Sequence, residues 1–213
     1  MNDRLVLAMT SDGKEITVKQ CQEFLKQKNR KALAAFIYDR LYGRYLKPFD
    51  YPCDEFKKKY KSGFALMANC CLLIETYVSF IEVKYRKTEN KSREVFGHFF
   101  TSEKRFGEFS VGGINAKGLI AGAKEGGIPN DFYFNVRCGI LHNGETRNGW
   151  TITRKPTKPL FNAQNKEVNA TKFANTLKLV LRDYVHKLNN ENFENSDIWG
   201  NFQNRLNDLI KNS

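Results

Sequence analysis

Arginine and histidine together can hold a phosphate and move a proton near neutral pH, and one short segment of this chain carries both. In Asp131-Phe-Tyr-Phe-Asn-Val-Arg-Cys-Gly-Ile-Leu-His142 they stand at Arg137 and His142. Histidine, with an unperturbed pKa of about 6.5, suits acid–base work. Arginine presents a permanently charged fork of donors that fits a phosphate or a developing phosphorane. As a pair they have the chemistry to cleave RNA without a metal. The 2′-hydroxyl attacks the adjacent phosphorus, histidine handles a proton and arginine holds the charge. A plainer reading stands beside it: His142 complements the dipole of a helix C-terminus, and Arg137 pairs with a buried acid such as Glu75.

The element that must position them reads as a helix from Asp131 to Leu141. Pro129-Asn130 starts it, and Asn143-Gly144 stops it, with glycine free to take the left-handed cap. Phe132, Tyr133, Phe134, Val136, Cys138, Ile140 and Leu141 surround its axis. Asn135, Arg137 and His142 are its polar side chains past the first residue. A helix this apolar is packed on most sides, so its arginine must find a partner or reach an opening. At roughly 100° per residue, Asn135 and His142 fall within about 20° of each other, while Arg137 lies about 140° from His142. One straight helix therefore does not aim Arg137 and His142 at one atom. A bend or end at Gly139, or two copies meeting across a symmetric interface, is expected to bring them together.

The other elements follow from periodicity. Residues up to Thr17 read as extended, and Thr17 caps a helix through Cys21, Phe24 and Leu25. A second helix carries Leu33, Phe36, Ile37, Leu41 and Tyr45, with Lys28, Arg30, Lys31, Arg40, Arg44 and Lys47 as a basic polar face. Pro48 and Pro52 mark a loop, and Lys57, Lys58, Lys59 and Lys61 a solvated basic run. The longest apolar segment, Phe64 to Tyr85, covers more than one helical face and should lie centrally, with Glu75 the one acid in its middle. A helix near Val95–Phe100 holds His98, read as a core histidine. Gly107, Gly112, Gly113, Gly118, Gly122, Gly126 and Gly127 lack the spacing of a phosphate loop and read as a loop with a short helix, Ile114 to Ala123. Trp150–Arg154 alternates as a strand, with Leu160–Val168 returning as its partner. Helices from Ala170 to Leu188 and over Ile198–Ile210 close the chain. The expected fold is mainly α: a single domain over 1–213, a helical bundle with a small β-hairpin insertion at about 145–169 and C-terminal helices, 170–213, packed on the bundle.

Composition narrows the function classes. Forty-one per cent hydrophobic and 13% aromatic residues exclude a disordered chain. Thirty-five Lys+Arg against 23 Asp+Glu give a formal charge of +12, which favours polyanions, nucleic acid first. No apolar run reaches the ~20 residues of a membrane span, and no signal-peptide layout opens the chain, so no membrane partner is expected. The five cysteines (Cys21, Cys53, Cys70, Cys71, Cys138) form no C-x-x-C pair and have no histidine at zinc spacing. Reduced thiols in the cytoplasm, no metal and no cofactor are expected.

The run Phe132-Tyr-Phe-Asn-Val-Arg-Cys-Gly-Ile-Leu-His-Asn143 resembles the Arg-x4–6-His motif of the HEPN superfamily, all-helical domains of many RNA-cutting defence and toxin proteins. Leu72-Leu-Ile-Glu-Thr-Tyr77 is similar to the upstream apolar helix of such bundles. The resemblance is sharp over about residues 130–145 and loose over 64–100. It implies a metal-independent endoribonuclease, a toxin or antiviral defence effector, with Arg137 and His142 catalytic. It also implies RNA as substrate, a homodimer with a composite active site, and an antitoxin or defence-system protein as partner. Many active members carry Asn, Asp or His directly after the arginine; here Cys138 stands there, and Asn135 or Asn143 is the candidate to supply that polar group. The alternative is a catalytically inactive helical module binding RNA or a protein partner.

Overall fold

The computed structural model describes residues 2–50, 59, 62–87, 90–110 and 127–213. Pro52, Cys53, Lys57, Lys58, Lys61 and residues 111–126 of the glycine-rich stretch, with its expected helix at Ile114 to Ala123, lie outside the described residues. Helices dominate, as expected from the 3.6-residue periodicity. In chain order they and the strands are β1 (Val6–Met9), β2 (Glu15–Thr17), α1 (Val18–Lys26), α2 (Arg30–Tyr45), α3 (Gly63–Ile81) and α4 (Ser92–Ser102). The motif segment follows as α5 (Ile128–Phe132), a π-helical turn (Tyr133–Arg137) and α6 (Cys138–Asn143). Then come β3 (Thr151–Thr153), β4 (Phe161–Asn162), β5 (Glu167–Asn169), α7 (Ala170–Asn190) and α8 (Asp197–Lys211).

The chain packs as two compact units, with α3 and α7 each contributing to both. One unit comprises residues 1–48, 76–87 and 181–213. Its N-terminal residues are extended, and they pair as an antiparallel β1–β2 hairpin. Thr17 then caps α1 through a capping box: Thr17 N–H donates to Gln20 Oε1 at 2.8 Å, and the Gln20 amide to Thr17 Oγ1 at 3.4 Å. Leu33, Phe36, Ile37 and Leu41 of α2 are buried at the spacing expected. Arg40 does not belong with the basic polar face: it is buried and donates to the Leu7 carbonyl oxygen, because the hairpin covers that side of α2. Trp199 of α8 donates from Nε1 to the Leu188 carbonyl oxygen at 2.9 Å, and Phe202 packs on Phe80 at 5.8 Å.

The other unit, residues 49–75 and 88–180, holds the motif. Its core is a cluster of aromatic rings. Phe132 lies parallel to Phe173 at 5.6 Å and edge-on to Phe100 at 5.1 Å, while Phe109 stacks on Phe161 at 4.5 Å and Phe161 on Trp150 at 5.5 Å. Such offset and edge contacts add to the burial of each ring. Leu160–Val168 does not return as one strand against Trp150–Arg154: it turns on itself, and β4–β5 form a small hairpin, antiparallel through Phe161 and Val168. The strand at Thr151–Thr153 joins β5 in parallel, so the sheet order is β3-β5-β4. The parallel pairing differs from the returning partner that the alternation predicts, because the chain reverses once more, between β4 and β5, before it reaches Thr151–Thr153.

Leu66, Met67, Cys70, Cys71, Leu73 and Ile74 of α3 are buried, as the apolar faces of this helix predict. By length and composition α3 suffices to cross a membrane, which the count of apolar runs did not anticipate. More than half of it is buried in protein, the pattern of a core helix.

Candidate functional site

Glu75 near the middle of α3 faces the motif helix. Its Oε1 accepts from Arg137 Nε at 2.9 Å, with both side chains mostly shielded from solvent. Burial works against the charge on Arg137, but the carboxylate bonded to it outweighs this and raises its pKa further. The buried acid sought for this arginine is therefore Glu75.

The motif helix is continuous but not uniform. At Tyr133–Arg137 it opens into a π turn, closed by Cys138 N–H donating to the Tyr133 carbonyl oxygen. A π turn accommodates one extra residue, and such turns are frequent at functional sites. The extra residue rotates whatever precedes it by about 100° relative to an ideal helix. The ideal-helix angle of about 20° between Asn135, inside the turn, and His142, beyond it, therefore does not hold here. Asn135 is buried, its Oδ1 accepting from Asn148 Nδ2 at 2.8 Å and its carbonyl oxygen from the Arg147 amide at 3.0 Å. It holds the chain that follows the helix and makes no bond to Arg137. Asn143 is exposed and accepts from Arg147 Nη2 rather than from Arg137.

Arg137 and His142 do meet, within one chain. Arg137 Nη1 lies 3.5 Å from His142 Nε2. Neither a bend at Gly139 nor a second copy is needed for this approach. The helical angle fixes where the Cβ atoms point, whereas an arginine's three methylene groups carry its guanidinium far from the axis. The Glu75 bond to Nε then sets the guanidinium's direction. An arginine only donates, so a hydrogen bond across this approach has Nε2 as its acceptor. His142 is exposed, at the C-terminal end of α6, and Gly144 closes the helix with φ 74°, the left-handed cap expected there.

Gly139 has a different task from the bend foreseen. A Cβ there would stand 2.5 Å from the Glu145 carbonyl oxygen and 3.3 Å from Thr146 Cα. The chain leaving the helix folds back over this glycine to reach Asn135. Gly139→Ala is expected to push residues 145–147 outward and destabilise the fold by about 1–3 kcal/mol, read as a lower urea midpoint. An unchanged midpoint would show that the loop yields freely.

Two further residues complete the arrangement. The Tyr133 ring lies 5.6 Å from the Arg137 guanidinium carbon, a cation–π contact. The π turn brings the Tyr133 side chain to Cys138, five residues on, and burial, followed by the hydrogen bond between them, pushes the Tyr133 hydroxyl up to about 12. Cys138 Sγ accepts from Arg137 Nη1 at 3.9 Å, so the residue directly after the arginine touches the guanidinium itself. From sequence Tyr133 reads only as core, because an aromatic residue on an apolar helix gives no sign of facing a charge. Among the described residues Arg137 Nη2 has no bonded partner, which leaves a donor beside His142 for an incoming anion. His98 of α4 is half-buried. Among the described residues no cluster of three His, Cys, Asp or Glu side chains comes together, and Cys21, Cys70, Cys71 and Cys138 are free thiols.

The chain matches no protein-family model, no curated protein and no solved structure.

Proposed function

We propose that the chain is a metal-independent endoribonuclease of HEPN type, with Arg137 and His142 as catalytic residues and Glu75 positioning Arg137. One observation carries the reading: a guanidinium tied at Nε to a carboxylate presents its Nη1 3.5 Å from an exposed imidazole nitrogen. A guanidinium held by its inner edge is pre-oriented toward whatever approaches its outer edge, which limits the reorganisation needed when charge develops.

The substrate is RNA, in keeping with the net charge of +12. The 2′-oxygen forms a bond to phosphorus and gives up its proton, and the bond from phosphorus to the 5′-oxygen breaks as that oxygen takes a proton. A 2′,3′-cyclic phosphate and a 5′-hydroxyl result. Neutral His142 Nε2 can accept the first proton, and Arg137 neutralises the charge on the non-bridging oxygens. Two proton transfers call for two groups, and a homodimer that faces two motifs across one cleft supplies a second histidine. A toxin or antiviral effector in the cytoplasm, held in check by an antitoxin or defence-system protein, is the setting in which such an activity serves a cell.

The test is cleavage of a labelled RNA by the purified chain in EDTA, with the ends analysed. Cyclic phosphate termini are expected, and His142→Ala should remove cleavage while the circular dichroism spectrum is retained. Salt-dependent RNA binding with no cleavage by the parent chain would instead establish the inactive binding module.

A further inference from the structure

A second cluster of cations lies in the other unit, away from the motif in sequence. The hairpin strand β1 and helix α2 enclose a cleft of about 330 Å³. Val6, Leu7, Ala8 and Met9 form one wall, and Asp39, Arg40, Gly43, Arg44 and Lys47 the other. This volume is at the lower end of the range for pockets that bury a small organic ligand.

Arg40 is nine-tenths buried, yet among the described residues no carboxylate pairs with it. Its bonded partner is the Leu7 carbonyl oxygen, to which Arg44 Nη2 also donates at 3.2 Å. Two guanidinium groups thus converge on one neutral oxygen. Burial, and next the charge of Arg44, bring Arg40 down to about 10. A buried charge without a counter-charge is costly, and a like charge beside it adds to that cost. None of the Arg40 nitrogens is both buried and unbonded, and Arg40 lines the cleft. Arg44 and Lys47 at the mouth are exposed. The one acid of the lining, Asp39, has its carboxyl pushed up by burial while Lys47 pulls it down. Asp12, which also acts on Asp39, is paired to Lys14 at 2.8 Å. Three cations against one carboxylate leave an excess suited to a dianion.

We infer that this cleft binds a small phosphate monoester, of nucleotide or sugar-phosphate size. Its phosphate lies against Arg40, Arg44 and Lys47, and a ligand hydroxyl or amino group donates to Asp39. The guanidinium forks match phosphate oxygens better than they match a single carbonyl. The apolar wall of β1 receives the rest of the ligand. The inference does not depend on the ribonuclease reading, because none of these residues belongs to the motif.

Calorimetric titration of the full chain at matched ionic strength tests it, with inorganic phosphate, adenosine 5′-monophosphate, ribose 5-phosphate and adenosine as probes. Saturable binding of at least one of the two monoesters, and none of adenosine, is expected. Whichever monoester binds more tightly identifies the source of the phosphate. Arg44→Gln and Lys47→Gln change exposed residues and should keep the fold while each weakens binding about 10-fold or more. Arg137→Gln should leave the affinity unchanged, which separates this cleft from the motif. Three outcomes overturn the inference. One is no saturable binding of either monoester. Another is binding lost in Arg137→Gln but kept in Arg44→Gln. The third is binding of a short RNA through Arg44 and Lys47 with neither monoester bound.

Discussion

Arg137→Ala is expected to cleave RNA about 10³-fold more slowly than the parent chain and to be less stable by about 3 kcal/mol. The two losses have separate origins. Cleavage falls because the outer edge of the guanidinium, beside His142, no longer meets the phosphate. Stability falls because Glu75, largely shielded from solvent, loses the Nε–H that it accepts at 2.9 Å. Removing one partner of a shielded pair leaves the other charge uncompensated. Glu75→Gln in the Arg137→Ala background removes that stranded charge and should recover about 1–3 kcal/mol in urea unfolding. It should recover no cleavage. A double variant that regains both would mean that Arg137 acts only as a structural partner for Glu75. Glu75→Gln alone retains an acceptor for Nε, so its effect on cleavage should be far smaller than that of Arg137→Ala.

The largest effect on stability is expected at Phe132. It is fully buried, with Phe96, Phe100, Phe109, Phe173 and Trp150 around it at ring separations of 5.9, 5.1, 5.7, 5.6 and 6.0 Å. Phe132→Ala removes the ring on which the cluster converges and leaves a cavity that neighbouring rings cannot close without losing their own contacts. The cost is about 3–5 kcal/mol, against a total of about 5–15 kcal/mol for a domain. Phe132→Leu fills part of the space and should cost less. A Phe132→Ala chain whose urea midpoint stays near that of the parent would show that the cluster is loosely packed.

The long helices were legible because each shows three- and four-residue spacing over several turns and a recognisable end. Thr17 and Gly144 are such ends, one through its hydroxyl and the other through a backbone angle that glycine tolerates. The β1–β2 hairpin was legible only as extended chain, since strands this short carry too few residues to display alternation. Missing the hairpin also misplaced Arg40, whose side chain reads as solvated until a strand is laid over it. In the motif, the pairing of Glu75 with Arg137 could be anticipated, because a shielded arginine needs an acid and α3 carries one acid in its middle. The roles of Asn135 and Tyr133 could not be read. Both depend on the π turn, and no residue type at Tyr133–Arg137 announces one.

That turn lets the two halves of one helix answer to different surroundings. Phe132, before it, is in register with the aromatic core, whereas Arg137 and His142, at and after its end, are in register with Glu75 and the open surface. In genetic terms the turn is a one-residue insertion. Losing one codon anywhere between Tyr133 and Arg137 would restore a uniform α-helix and set the two registers against each other by about 100°. Substitutions on either half can be absorbed locally. A change of length in this segment cannot, so chains descended from a common ancestor with this one should vary in letters here before they vary in spacing.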